Sequence, residues 1–473
     1  MNKGVSALEG SMLRALLKLA IPIVSANVLQ TGYQLTDAFW VGRLGAAAVA
    51  AVSVSFPVTF LMIAIGGGLA GAGATLTAQY HGARDQGMVN HVAAQTMLMV
   101  VAVSIVLGSA GFVATPLILR VLGVTPEVHA QALGFMRVSF LGLIFVFAFA
   151  MFQALMRGVG KAVPPLLIVI GTVILNFVLD PLFIFGWGPV PGAGVMGAAM
   201  ATLATQALAT IVAFVLLLRG TYGIAVTPRG FMPDLAYVRR AFVLGFPASI
   251  ELSARALGLV VLSLLVAGFG TVTLAAYGVG SNILQLVTIP ALGLSTAAAS
   301  LVGQNIGAGQ LGRAHRITLL AAGLGFVVLS VVGAAAFVAA PAIVRFFVPG
   351  DLAVEAQGMA FIRTSAPAWG FIALQLTVVS TFRASGNMLA AMILALVSQW
   401  VLQFPLAYVL SRTQVLGAAG LWWSFPVTNT ATAAVAWLWY ARGDWKTTRL
   451  TALSPTRDAV TEEITVEDGL PRA

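Results

Sequence analysis

Charged side chains are scarce in this sequence, at 8% of the 473 residues, whereas soluble domains carry roughly a quarter. A chain that is 59% hydrophobic with so few charges cannot cover itself with a surface compatible with water, which excludes a soluble globular protein. Cysteine is absent, so disulfide bonds, thiolate nucleophiles and cysteine-ligated metals are excluded as well. The lipid bilayer is therefore the predicted solvent.

Motifs for catalysis and for cofactor binding are missing too. No Walker A, G-x-S-x-G or H-E-x-x-H sequence occurs, and the four histidines show no metal-ligand spacing. Three matches to G-x-G-x-x-G do not follow a strand of soluble type, so they indicate close helix packing or turns. We predict no cofactor and no enzyme; the alternative of another class is an integral membrane enzyme or a scaffold.

Twelve apolar runs long enough to cross a bilayer follow one another along the chain. They lie near 15–40, 47–78, 92–114, 131–153, 163–185, 193–218, 240–266, 277–300, 317–340, 361–381, 388–410 and 416–440. With both termini in the cytoplasm, eighteen lysines and arginines flank the runs inside and six outside, as the positive-inside rule requires. We predict an all-α, multi-pass protein of the bacterial inner membrane. Its basic net charge is explained by this topology, so we predict no nucleic acid partner.

The two halves of the chain repeat each other. Pro22 and Pro247 are 225 positions apart, as are Gln79 and Gln304, and the separation becomes 226 at Arg157 and Arg383. Six helices per repeat predict two bundles in the same orientation, related by a pseudo-two-fold axis along the membrane normal. The predicted units are an amino-terminal bundle (1–220), a cytoplasmic linker (221–238), a carboxy-terminal bundle (239–442) and a polar, disordered cytoplasmic tail (443–473). We expect a monomer embedded in membrane lipids.

Only three acidic residues fall within the apolar runs, and each costs several kcal/mol there unless it is paired, protonated or hydrated. Asp37 and Asp180 lie at similar depth, and Asn176 is one turn from Asp180. This pair indicates a site for a proton or cation, although carboxylates reaching the headgroups or satisfied by polar neighbours would be a structural alternative. The third, Glu251, shares a helix face with Arg255, which is the one cation that the count above assigns to neither flank. That pair is either a second ion site or a structural ion pair.

The motifs Leu19-Ala-Ile-Pro22, Gln30-x-x-Tyr33-x-x-x-Asp37, Val41-Gly-Arg-Leu-Gly45, Arg157-Gly-Val-Gly160, Asn176-Phe-Val-Leu-Asp180-Pro181 and Gly303-Gln-Asn305-x-Gly307 occur between residues 12 and 442. With them the sequence resembles the multidrug and toxic compound extrusion (MATE) family, particularly its bacterial branch similar to DNA-damage-inducible protein F. The resemblance implies a V of two six-helix bundles that exports cationic or amphipathic small molecules in exchange for protons or sodium ions.

The resemblance also implies roles for individual residues. Asp37 and Asp180 match the family's first-bundle acidic pair, where a sodium ion is the candidate metal, with Asn176 and Thr202 beside them. The implied substrate-binding residues are Gln30, Tyr33, Gln34 and Gln153. Phe135 and Gln375 depart from the family pattern, since the family places a tyrosine near the acidic cluster and sodium-coupled relatives place a carboxylate on the tenth helix. A lipid-linked oligosaccharide or lipid flippase of the same two-lobe architecture is the alternative transporter, and it would require a markedly basic central cavity.

Overall fold

The computed structural model describes residues 8–188, 190–412, 416–448 and 450–451. Within them the chain is almost entirely helical, as expected where no water is present to satisfy backbone N–H and C=O groups. The first bundle contains α1 (Met12–Gly42), α2 (Ala46–Gly82), α3 (Gln86–Val121), α4 (Pro126–Gly158), α5 (Val163–Phe185) and α6 (Val195–Arg219). The second contains α7 (Leu235–Ala267), α8 (Thr271–Gly307), α9 (Leu311–Phe347), α10 (Leu352–Ser365), α11 (Trp369–Ser385), α12 (Met388–Leu396), α13 (Phe404–Ser411) and α14 (Ala419–Arg442).

These helices form twelve stretches that coincide with the twelve predicted runs. A short 3₁₀ turn links α10 to α11, and a π-helical segment, Val397–Gln403, links α12 to α13, so each pair makes one stretch. Eleven stretches of the described chain are long and apolar enough to cross a membrane, and the 24-residue α14 completes the set. A two-stranded antiparallel hairpin, β1 (Gly186–Trp187) with β2 (Val190–Pro191), joins α5 to α6.

The two bundles pack against each other from one end of the helices to about their middle, and we call this end the closed side. There the end of α2 packs on the end of α8 so tightly that a Cβ added at Gly82 would overlap the backbone carbonyl of Gln304. The same overlap recurs between Gly307 and the carbonyl of Gln79, its repeat-related counterpart. The two glutamines also donate across the interface, Gln79 Nε2 to Ala384 O at 2.8 Å and Gln304 Nε2 to Gly158 O at 2.7 Å. The repeat seen in the sequence is therefore a symmetric contact in space.

At the opposite end, the open side, a Cβ added at the repeat-related Gly45 or Gly270 would meet no atom within 4 Å. Along α2, close approach to α7 begins at about the middle, where Gly68 abuts Ser249. Nearer the open side, Phe56 is 53% exposed on α2 and Leu264 is 69% exposed on α7. The bundles thus form a V whose arms separate towards the open side, which confirms the predicted architecture.

The first residues of the predicted tail are not a solvated segment. Trp445 is fully buried and stacks on Tyr440, with ring centroids 5.3 Å apart. Leu450 is buried at the closed side, where its N–H donates to Gln79 Oε1 and its carbonyl accepts from Arg240 Nη2. Residues 452–473, which carry the acidic part of the predicted disordered tail, lie outside the described residues.

Candidate functional site

Asp180 and Asn176 form the centre of the candidate site on α5. One helical turn separates them, and Asn176 Nδ2 donates to Asp180 Oδ1 at 2.9 Å. Both side chains are fully buried. Because α5 packs against α1 and α6, a polar face on α5 is turned into the first bundle instead of towards lipid.

Asp37 and Tyr33 supply the α1 side of the same cluster. Asp37 is half-buried and lies beside Asp180, Asn176 and Thr202. Asp37 and Asp180 are each five residues from the open-side end of their helices, which places them at the same depth. The buried Tyr33 hydroxyl shares a 2.8 Å hydrogen bond with the Thr205 hydroxyl on α6. Three helices therefore surround the two carboxylates.

Three acceptor oxygens of this cluster are buried and have no hydrogen-bond partner among the described residues. They are Asp37 Oδ1, Asn176 Oδ1 and Asp180 Oδ2. A buried acceptor without a partner costs about 1–3 kcal/mol, so three together on neighbouring residues are unfavourable unless something fills the site. A proton or a small cation has the charge that such oxygens bind.

The structure brings together five of the residues named from the sequence: Tyr33, Asp37, Asn176, Asp180 and Thr202. Among the described residues, the other candidates are not found in contact with either carboxylate. Gln30 and Gln34 are exposed on α1, and Gln153 is half-buried on α4.

Thr205 was missed by the sequence analysis. It follows Thr202 by three residues, and the spacing of these two hydroxyls on α6 was the available signal.

Glu251 and Arg255 also pair in the structure, with a third residue. Glu251 Oε1 lies 3.2 Å from Arg255 Nη2 and 3.5 Å from Arg383 Nη2, on α11. The glutamate is almost completely buried, whereas about 30% of each arginine side chain is exposed (31% and 28%). One carboxylate therefore serves two guanidinium groups, which leaves an excess of positive charge.

We expect Glu251→Gln to lower the free energy of unfolding by about 1–3 kcal/mol, because two neighbouring guanidinium groups lose their buried counter-charge. Thermal unfolding in a neutral detergent measures the loss. Glu9→Gln is the matched control, since Glu9 is exposed near the start of α1 and its replacement should change nothing. If Glu251→Gln were as stable as the parent chain, Glu251 would not be holding this network together.

A protein-family model matches the chain twice, once in each of its two halves. The sequence model of the MatE family matches residues 22–182 and 247–409, two blocks whose starts are 225 positions apart. The chain belongs to the MATE family. The family resemblance inferred from the motifs is thereby confirmed, and this MATE protein is a multi-pass membrane protein built as a transporter.

Relatives of known sequence and proteins of known structure are similar to this chain over nearly its whole length. The chain is 28% identical over 444 residues to the probable multidrug resistance protein YpnP of Bacillus subtilis (strain 168), covering 93% of this chain and 98% of the relative. It is 28% identical to the probable multidrug resistance protein YoeA of the same organism, with coverage of 94% and 96%. A structure described as the outward-facing conformation of a multidrug resistance MATE family transporter superimposes with a TM-score of 0.87 at 25% identity, covering 93% of this MATE protein and 98% of that chain.

Proposed function

We propose that this chain is a secondary active exporter of amphipathic small molecules, driven by protons that exchange at Asp37 and Asp180. The observation that carries the proposal is a trio of buried oxygens, on two adjacent carboxylates and Asn176, that have no hydrogen-bond partner in the described part of the chain. They lie inside a bundle that packs tightly against its partner at the closed side. Intramembrane carboxylates in transporters characteristically serve as proton or ion relays.

A single proton changes the electrostatics of this pair. Two adjacent carboxylates repel each other when both are ionised, and one shared proton replaces the repulsion with an O–H···O hydrogen bond. The proton also removes a charge from a site at hydrocarbon depth. Pro181 follows Asp180 directly and cannot donate a backbone hydrogen bond within α5, so a change at Asp180 acts where the helix is weakest. Sodium coupling at the same oxygens is the alternative.

The cargo is proposed to be a cationic or amphipathic compound that competes with the proton. Gln30 and Gln34 are exposed on the helix that carries Asp37, and with Tyr33 and Gln153 they would line the cargo's path. The names of the relatives, probable multidrug resistance proteins, support a drug-like substrate range.

The proposed location is the bacterial inner membrane, with the closed side and both termini in the cytoplasm. Exposed basic residues at the closed side, such as Arg84 and Arg316, support this orientation. The open cleft then faces outward, the state from which cargo leaves. A monomer with one bundle on either side of residues 221–238 accounts for the contacts described above.

Proteoliposomes with imposed gradients test the coupling. We expect an inward-directed proton gradient to drive ethidium export against its concentration gradient, and a sodium gradient of the same size to leave ethidium at equilibrium. Export driven by sodium alone would assign the site to sodium. No export under either gradient, in vesicles that retain folded protein, would contradict antiport.

A further inference from the structure

A cavity of about 170 Å³ lies between the two bundles, where the cleft narrows towards the closed side. Its lining comes in repeat-related pairs: Arg157 with Arg383, Thr75 with Ser300, and Gly71 with Thr296. Since these pairs have the same separations as the sequence repeat, the cavity lies on the pseudo-two-fold axis. Its volume suffices for several water molecules or for one phosphate-sized group.

The charges around this cavity are unbalanced. Arg157, Arg255 and Arg383 contribute three positive charges and Glu251 one negative charge, which leaves two positive charges. Arg383 contacts Glu251, but the repeat position of Glu251 in the first bundle, 225 residues earlier, is occupied by Ala26. The first bundle therefore offers Arg157 no carboxylate equivalent to Glu251. From its position between two apolar runs, the sequence analysis had counted Arg157 among the cytoplasmic flanking residues.

The arginines are also the available hydrogen-bond donors. Nε of Arg157 and Nε of Arg383 are buried and have no acceptor among the described residues, so the donors that can face the cavity are the terminal Nη groups of these half-exposed side chains. The lining hydroxyls, in contrast, already donate to backbone carbonyls: Thr75 to Arg383 O at 3.2 Å, and Ser380 to Thr377 O at 2.8 Å. Guanidinium N–H groups that lack an acceptor have the geometry for the oxygens of a phosphate or carboxylate.

An apolar wall continues from this basic floor towards the open side. Phe56, Phe60 and Ile63 precede Gly67 and Gly71 at helical spacing, so they lie on the face of α2 that lines the cavity. Their side chains are 53%, 36% and 46% exposed. The rings of Phe56 and Phe60 stack with centroids 5.5 Å apart. A ligand in the cleft would contact apolar surface towards the open side and positive charge towards the closed side.

We propose that the cleft binds an amphiphile through an anionic phosphate headgroup held between Arg157 and Arg383, with its apolar part along α2. The proposal goes beyond the cationic cargo of the export function by naming a further, anionic cargo class. Its meaning as cargo rests on that export function, whereas the binding step does not. The headgroup could belong to a single-chain phosphate ester or to a phospholipid, which share this chemistry.

Calorimetric titration of the purified chain in a neutral maltoside tests the proposal with decyl phosphate as the probe. Decanol and decyltrimethylammonium carry the same ten-carbon chain without the phosphate and serve as ligand controls. We expect decyl phosphate to bind at least about tenfold more tightly than either, since a charge-assisted bidentate contact is lost in both controls. Short-chain phosphatidylglycerol, added as a competitor, distinguishes the sources: displacement indicates a lipid headgroup, and no displacement indicates a single-chain ester.

Two kinds of variant should change the affinity for decyl phosphate in opposite directions, which distinguishes an effect on recognition from misfolding. Arg157→Gln should weaken decyl phosphate binding by about tenfold, and Arg157→Lys by less, because lysine keeps the charge but loses the planar fork. Glu251→Gln should tighten binding, since it removes the competing carboxylate, and a gain cannot come from misfolding. The exposed Arg316→Gln, which lies outside the cavity, should leave binding unchanged.

Equal binding of decyl phosphate and decanol, or Glu251→Gln without effect on affinity, would overturn the proposal. The double variant Asp37→Asn with Asp180→Asn should retain decyl phosphate binding. Loss of gradient-driven export with binding retained would therefore concern the proton site alone.

Discussion

Asp37→Asn and Asp180→Asn should each reduce proton-driven ethidium export by on the order of a hundredfold, the range seen when a positioned proton-transfer group is removed. Asparagine has nearly the same size and remains neutral at every pH, so the cluster cannot alternate between charged and uncharged states. Asn176 donates to Asp180 Oδ1 in the parent chain, and it can donate equally to the side-chain amide oxygen that Asp180→Asn introduces. The bundle should therefore fold, and initial export rates in proteoliposomes measure the loss.

Asp351→Asn is the matched control for these variants. Asp351 caps α10 through hydrogen bonds from the backbone N–H groups of Ala353 and Val354, and asparagine caps helices about as well as aspartate. Its export rate should equal that of the parent chain. Parent-like export by Asp37→Asn would show that the carboxylate on α1 is structural.

A glycine-to-alanine substitution at the closed side should have the second largest effect, in this case on the balance between conformations. In Gly82→Ala the added Cβ overlaps the backbone of Gln304, which cannot rotate away as a side chain could, so α2 and α8 must separate. We expect the conformation described here, in which the cleft opens at the open side, to become less populated. A conformation whose cleft is accessible from the closed side should become more populated. Labelling reports this directly, because the chain has no native cysteine. In a Ser385→Cys background, where position 385 is fully buried, Gly82→Ala should raise the rate of maleimide labelling about tenfold, the change expected for a shift of about 1.4 kcal/mol.

Gly312→Ala is the control for this experiment. Gly312 also lies at the closed side, in the first turn of α9, but a Cβ there meets no atom within 4 Å. Labelling in that background should match the parent rate. The repeat-related Gly307→Ala should reproduce the effect of Gly82→Ala, since its Cβ would overlap the carbonyl of Gln79. Unchanged labelling in both glycine variants would mean that the glycine contacts do not keep the closed side shut.

The helices, the repeat and the acidic cluster could be predicted from the sequence for related reasons. Apolar runs of bilayer length determine the spans, and the recurrence of Pro22 at Pro247 indicates the two bundles. Asp37 and Asp180 stand out because charge is rare within apolar runs, and helical spacing alone connects Asn176 to Asp180.

The basic cavity and the packed start of the tail could not be predicted in the same way. Arg157 and Arg383 stand at helix ends, where a long side chain can extend either to water or inward along the protein, and sequence does not distinguish the two. Trp445 and Leu450 belong to a stretch that turns polar after Arg442, and their burial depends on a surface formed by distant helices. Long-range contacts of this kind leave no periodic signal in the chain.

Proton movement driven by cargo tests the central claim most directly. Vesicles containing the protein and a trapped pH-sensitive dye would receive an ethidium gradient with no initial pH difference. The account expects protons to move opposite to ethidium with the parent chain, and no proton movement above leak with Asp37→Asn or Asp180→Asn. Ethidium transport without proton movement in the parent chain, or undiminished proton movement in both variants, would contradict it.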